Sequence, residues 1–232
     1  MSPGLLRTSR VAGPEGMMIR AIVLASAAVA LWWFLLKPSS LWLLRLLAWL
    51  PLGIFVAPPG LEPVRVNPET HEWVFNVEVN AAAKNQRTGQ LQRVESVEFA
   101  ADENNVAFFA SGWFCYLGLA LSAGAFSRKQ AWRILTGLGL QTGISVVALG
   151  AYAYINGYGS VINTPDNADS RVWLLKYFYH LIYLVVPFVG PFVVALVVHP
   201  EWRAYFQVVS SGRSSHFGLM GARSPALRVK RR

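Results

Sequence analysis

One cysteine in 232 residues, Cys115, excludes any internal disulfide. Charge is scarce: 14% of residues are Asp, Glu, Lys or Arg, against about a quarter in soluble domains. Acids are the scarcer sign, 12 against 21 Lys and Arg. No glycine-rich loop follows a strand, as a phosphate cradle requires, and no inverted repeat pairs broken helices, as many secondary transporters do. Basic charge sits in loop and tail segments, so a nucleic-acid partner is not expected.

What fills the chain instead is apolar sequence in long runs, 54% of all residues. The expected fold class is membrane α-helical. It has about four transmembrane helices, an interfacial or re-entrant helix, and a small β-hairpin domain on the periplasmic side. Residues 1–16 form a basic leader without periodicity, and Met17 and Met18 offer a second start. Transmembrane helix 1 is expected over 17–37. Its apolar run 21–36 covers only about 24 Å, so Arg20 and Lys37 snorkel or the lipid thins. Trp32 and Trp33, with no small-residue cleavage pattern after them, favour an uncleaved anchor over a signal peptide.

Pro38, Ser39 and Ser40 are expected to break that helix. The next apolar stretch, 41–57, carries Arg45 near its start and Pro51 near its middle. A central charge costs roughly 2.5 to 3.5 kcal/mol in a bilayer, and Trp42 and Trp49 flank this one, so an interfacial or re-entrant helix is expected rather than a span. Segment 58–105 holds eight acids against four bases. The leader, the short loop 127–133 and the tail are basic. Lys and Arg collect on the cytoplasmic side, which places 58–105 outside and both termini inside.

Within that segment Trp73, Phe75, Val77 and Val79 alternate with Val74, Asn76, Glu78 and Asn80, the period of a half-buried strand. A second β-prone run follows at 91–99 after a polar turn at 84–90, with a third short strand near 64–66. An isolated hairpin is marginal in water, so this one must lean on helices or a partner. Transmembrane helices are then expected over 106–126, 134–155 and 174–198, with a polar periplasmic loop at 156–173 between the last two. Gly139 and Gly143 form a G-x-x-x-G packing face. Pro187, Gly190 and Pro191 should bend the last helix near mid-membrane. The basic tail 199–232, irregular from Gln207 on, has an affinity for anionic lipid.

Chemistry-bearing residues are few. Cys115 and His180 lie at depths that allow a thiol–imidazole pair, but no acid or amide is placed to orient the histidine, and a lone cysteine in an apolar helix usually packs. His71 and Glu72, with Glu69 and Glu62 nearby, lack zinc spacing and read as a solvated acidic edge. Lys176, preceded by Arg171, reads as a topological anchor. Arg45 keeps functional weight, because an arginine in so apolar a context needs an outer-loop carboxylate or a lipid phosphate. Gln141 lies inside the third span. No catalytic, cofactor-binding or metal-binding residue is assigned.

The turn NQRTGQ (85–90), Asn104 and Asn105 ahead of GLAL (118–121), and the helix YHLIYLVVPFVGPFVVAL, where Tyr183 precedes Pro187, Pro191 and then Trp202, form one pattern. Over roughly residues 17–206 the chain resembles the exosortase H system-associated membrane proteins of Gram-negative bacteria. The resemblance implies a non-enzymatic accessory protein of the inner membrane. Its partner would be an exosortase-like peptidase that trims and sorts proteins bearing a C-terminal anchor signal. It brings no catalytic residues, and the context WFCYLG around Cys115 is not that of such a peptidase. The alternatives are a small intramembrane enzyme using Cys115 and His180, or a subunit of an envelope transport or secretion assembly.

Overall fold

A computed structural model describes residues 14–84, 90–124, 127–162 and 170–218. The fold is mostly helical, with a three-stranded antiparallel sheet at one end. Three helices are long and apolar enough to cross a membrane, or up to four if a bent pair counts as one span.

The first helical unit runs without a break from α1 (Pro14–Leu31) through a π-helical segment (Trp32–Leu36) into α2 (Lys37–Phe55). The expected break at Pro38, Ser39 and Ser40 is therefore absent, and the helix already begins within the expected leader. Pro38 sits in the first turn of α2, directly after the π turn, where a missing N–H is tolerated. Ser40 sews this junction rather than opening it. Its hydroxyl accepts from the Trp32 indole N–H at 2.7 Å and donates to the Lys37 carbonyl at 2.8 Å.

α1 lies against α3 (Glu103–Ser122). Ala25 meets Gly118, Trp32 stacks on Phe114, and Lys37 reaches Glu103 at 3.1 Å. Beyond Lys37 the chain stops climbing. Leu52 and Val56 touch Gly150 of α4 (Arg128–Ile162), and Ser145 Oγ, donating to the Phe109 carbonyl at 2.7 Å, sets α4 level with α3. A straight continuation would lift Leu52 by about 22 Å, so α2 instead crosses the bundle. Leu41, Leu44, Ala48 and Leu52 form its buried stripe, while Trp42, Leu46, Leu50 and Phe55 are exposed.

Strands β1 (Val64–Val66), β2 (Trp73–Lys84) and β3 (Leu91–Ala101) pair in the order β1-β2-β3. Val64 faces Phe75, Phe75 faces Phe99, and Val77 faces Val97. The alternation read from the sequence sets the buried face, with Trp73, Phe75, Val77 and Val79 inside. A bulge between Glu78 and Ala81, with Asn80 at φ 44°, shifts the register so that β2 runs on past Asn80. The expected turn tip, 85–89, lies outside the described residues. The sheet does not stand alone. Its inner face joins one cluster with Leu52, Phe109, Leu149 and Tyr152 from the helices.

Helix bounds differ from expectation where packing or capping decides them. Asp102 accepts from the Asn104 N–H and starts α3 early, and α3 ends at Ser122, short of 126. The expected loop 127–133 is the first part of α4, where Ser127 Oγ accepts from the Gln130 N–H. At the other end α4 takes in 156–162, expected as loop, because Gly157 packs on Val77. The last span divides into α5 (Ser170–His180), a π segment (Leu181–Val185) and α6 (Val186–Val198), bent by 57°. The bend falls at the π segment ahead of Pro187, one turn before the prolines' midpoint. After an extended His199, α7 (Pro200–Gly218) is helical where an irregular tail was expected. Buried Trp202 anchors its first turn through an indole N–H donated to the Leu119 carbonyl.

Candidate functional site

At the sheet end an aromatic column binds four elements together. Phe99 of β3 meets Tyr152 edge-on, as does Phe109 of α3. Tyr152 stacks on Tyr183, which stacks on Tyr179 at 5.7 Å and 5°. The Tyr183 hydroxyl donates to Asn105 Oδ1 at 3.1 Å. Such ring pairs add about 0.5–1.5 kcal/mol each beyond area burial, and the column ties β3 to α3, α4 and the bent last span. Tyr183 and Asn105, both singled out in the sequence, meet here.

The column borders a 460 Å³ groove between α4 and α5, with Phe99 above and Ile155, Asn156, Ser160, Lys176 and His180 around it. The His180 Nδ1–H donates to the Lys176 carbonyl at 2.7 Å, which turns Nε2 outward. Below it a second, 530 Å³ groove runs along α4 past Gly139, Gly143 and Ala151, opposite Ile182 and Val186. A Cβ built at Gly139 or Gly143 meets nothing within 4 Å. The expected G-x-x-x-G packing face is thus uncovered by the described residues of this chain.

The sequence candidates are mostly kept apart. Cys115 packs with the cluster around Tyr116, Leu119 and Trp202 at the end away from the sheet, while His180 lines the groove at the sheet end. The depths of the two do not match, because α3 starts at Glu103 and puts Cys115 in its far half. Arg45 finds the carboxylate it was expected to need: its Nη2 lies 3.1 Å from Glu62 Oε1. That takes Glu62 out of the acidic edge. Glu72 accepts from the Thr70 hydroxyl, and His71 occupies a left-handed turn at φ 57°. Among the described residues no group of three or more His, Cys, Asp or Glu is placed to hold a metal ion. Gln141 is fully buried beside Gly112 and Gly190, and neither amide atom has a hydrogen-bond partner among the described residues. The side chain of Arg171 lies outside the described residues.

The far end holds a buried polar knot that sequence reading missed. His199 is fully buried. Its Nε2 lies 2.9 Å from the Tyr116 hydroxyl and its Nδ1 3.3 Å from Gln130 Nε2. The amide of Gln130 also donates to the Ala120 carbonyl, and the Tyr116 hydroxyl to the Arg133 carbonyl. Counting donors fixes the tautomer. Gln130 gives a proton to Nδ1, so Nε2 carries the ring hydrogen and donates to Tyr116, which passes its own to Arg133. Arg133 in turn pairs with Glu201 at 2.9 Å. The available signal was an apolar run closed by His199-Pro200 and followed by Trp202.

Burial holds His199 below the ordinary histidine range, with Arg133 adding to the effect and Glu201 opposing it. In the unfolded chain the ring titrates near 6.5. The fold therefore binds fewer protons, and the stability carried by neutral His199 is complete above about pH 6.5 and lost as pH falls from there. Protonated Nδ1 would also face a Gln130 donor. The thermal midpoint in detergent is expected to drop between pH 7 and pH 5, and to drop less in His199→Gln. Identical pH slopes for the two proteins would count against the knot as the cause.

No family model, no curated protein and no solved structure matches the chain.

Proposed function

We propose that this chain is a non-enzymatic accessory protein of the bacterial inner membrane that docks a membrane partner through its sheet. One observation supports this most. The sheet is built into the helical core, which holds its outward face and the edge strand β3 in a fixed position above the spans. Strand edges and polar faces of this kind are common protein-recognition surfaces. The outward face carries Glu78, Glu98 and Arg65, with Arg65 spanning the sheet to Glu98 at 3.0 Å.

Orientation follows from charge. Glu62, Glu78, Glu98, Asp102 and Glu103 gather at the sheet end. Arg20, Arg128, Lys129 and Arg133 gather at the far end, where Ala21 and Trp202 share one cluster. With Lys37, Arg45 and Arg65 ion-paired at the sheet end, the positive-inside bias favours a periplasmic sheet with both termini in the cytoplasm. Resemblance to exosortase H system-associated proteins suggests the partner's class, an exosortase-like peptidase, and the basic residues of the tail would favour anionic lipid headgroups.

A photo-crosslinking residue at Ser96 on β3 tests both parts. It should capture such a peptidase in cells, and a reporter inserted between residues 85 and 90 should read as periplasmic. Capture from Phe34 on the lipid-facing side of the first helix, with none from Ser96, would move the docking site off the sheet.

A further inference from the structure

We infer that β3 receives a fourth strand, an extended segment of the partner, with one apolar side chain in the groove beside Phe99 and an acidic residue at Lys176. This rests on the reading of the sheet as the docking surface and states what docks there. The two edges of the sheet differ. β1 is three residues long, too short to template much of another chain. β3 runs for 11 residues without proline or glycine, and the bulge puts its extra residue on β2, so β3 stays regular. Among the described elements it packs chiefly on β2 at one side and on α4 beneath. A terminal strand of this kind presents a row of main-chain N–H and C=O groups to an incoming chain.

Proteins blunt such an edge with proline, bulges or charged side chains. Here the charges turn back. Glu98 takes Arg65 at 3.0 Å, and Arg93 Nη2 donates to Asn80 Oδ1 at 3.4 Å, both across the chain's own sheet. The edge also has a pocket, and one residue joins the two. Phe99 belongs to β3 and lines the 460 Å³ groove together with Ile155, Gly159, Leu175 and Tyr179 of α4 and α5. In strand addition the main-chain hydrogen bonds give affinity and a pocket for alternate side chains gives specificity. A side chain on the inner face of the added strand, level with Phe99, enters this groove. Lys176 lines the same groove, and among the described residues no carboxylate lies within ion-pair distance of it. It complements an acidic residue on the incoming segment. An acyl chain would fill the groove and leave the strand edge bare. A second copy's β3 has its own Val97 and Phe99 packed into its core, so it brings no apolar side chain to the groove.

Photo-crosslinking residues placed one at a time at Ser96 and Ala100 of the full chain in cells test this by where they land on the captured partner. The two positions lie about 13 Å apart along β3. They should mark partner residues about four apart in an added strand, against about nine apart on a helix. Gly159→Leu fills the groove and Lys176→Glu reverses its charge, so each should lower capture from Ser96 at least several-fold. The leucine side chain meets open space, so the thermal midpoint of Gly159→Leu should stay at the wild-type value and separate a blocked groove from a failed fold. Helical spacing, capture of a second copy, or undiminished capture in either variant would overturn the added strand while leaving the sheet as a docking surface. No capture from either position would remove both readings.

Discussion

Gly118→Ala is expected to leave little folded protein in mild detergent. A Cβ at this position would fall on the backbone of α1, at Ala25 Cα and N and 2.7 Å from the Leu24 carbonyl carbon. Backbone atoms cannot rotate away, so α1 and α3 would have to part along the face that also seats Ala21, Leu119 and Ala120. Overpacking typically costs 1–3 kcal/mol, occasionally more, and a contact with no flexible neighbour belongs at or above about 3 kcal/mol on that scale. Gly139→Ala is the matched control, because its Cβ meets nothing within 4 Å. Size-exclusion profiles and thermal midpoints of the two variants check the claim. Equal midpoints would mean that the close approach of α1 and α3 is not a feature of the folded protein.

Phe75→Ala is expected to free the sheet from the helices. The ring is fully buried, stacked against Phe99 at 6.3 Å and next to Trp73 at 6.1 Å. Removing a buried Phe costs about 3–5 kcal/mol, while a three-stranded sheet of this size has little stability of its own. The loss should therefore appear as local opening. Amide exchange across β2 and β3 should quicken by orders of magnitude, while exchange in the middle of α3 and α4 changes much less. Ser96→Ala, on the exposed side of β3, should stay within about 0.5 kcal/mol of wild type. If exchange in Phe75→Ala rose equally in sheet and helices, the two would be one cooperative unit and the docking surface would have no separate stability.

Much of the layout was legible because local patterns carry it. The period-two run from Trp73 to Val79 named the buried face of β2 correctly, since a strand's two faces alternate whatever lies beyond it. A β-prone run from Leu91 and a short strand near 64–66 were also expected, and both are strands. An anionic partner for Arg45, a carboxylate or a lipid phosphate, was expected from charge in an apolar context, and Glu62 supplies a carboxylate. Helix ends were read less well. Pro38 and Ser40 are helix breakers by propensity, yet a π turn and one indole hydrogen bond absorb them. Residues 156–162 look like loop, but the face of β2 that Gly157 meets holds them in a helix.

The site residues divide along the same line. By itself the sequence determined which segments are apolar, which strands alternate, and where positive and negative charge collect, because each depends on composition within a few residues. Only the tertiary structure decided that Cys115 and His180 lie at opposite ends and that Gly139 and Gly143 line an open slot rather than a packed face. It also decided that His199, unremarkable in the chain, links Tyr116 and Gln130 in one run of hydrogen bonds. The physical reason is one of range. Burial of a polar group is tolerable only where partners from other elements arrive to satisfy it, and whether a small-residue face is filled depends on which helix comes to lie against it.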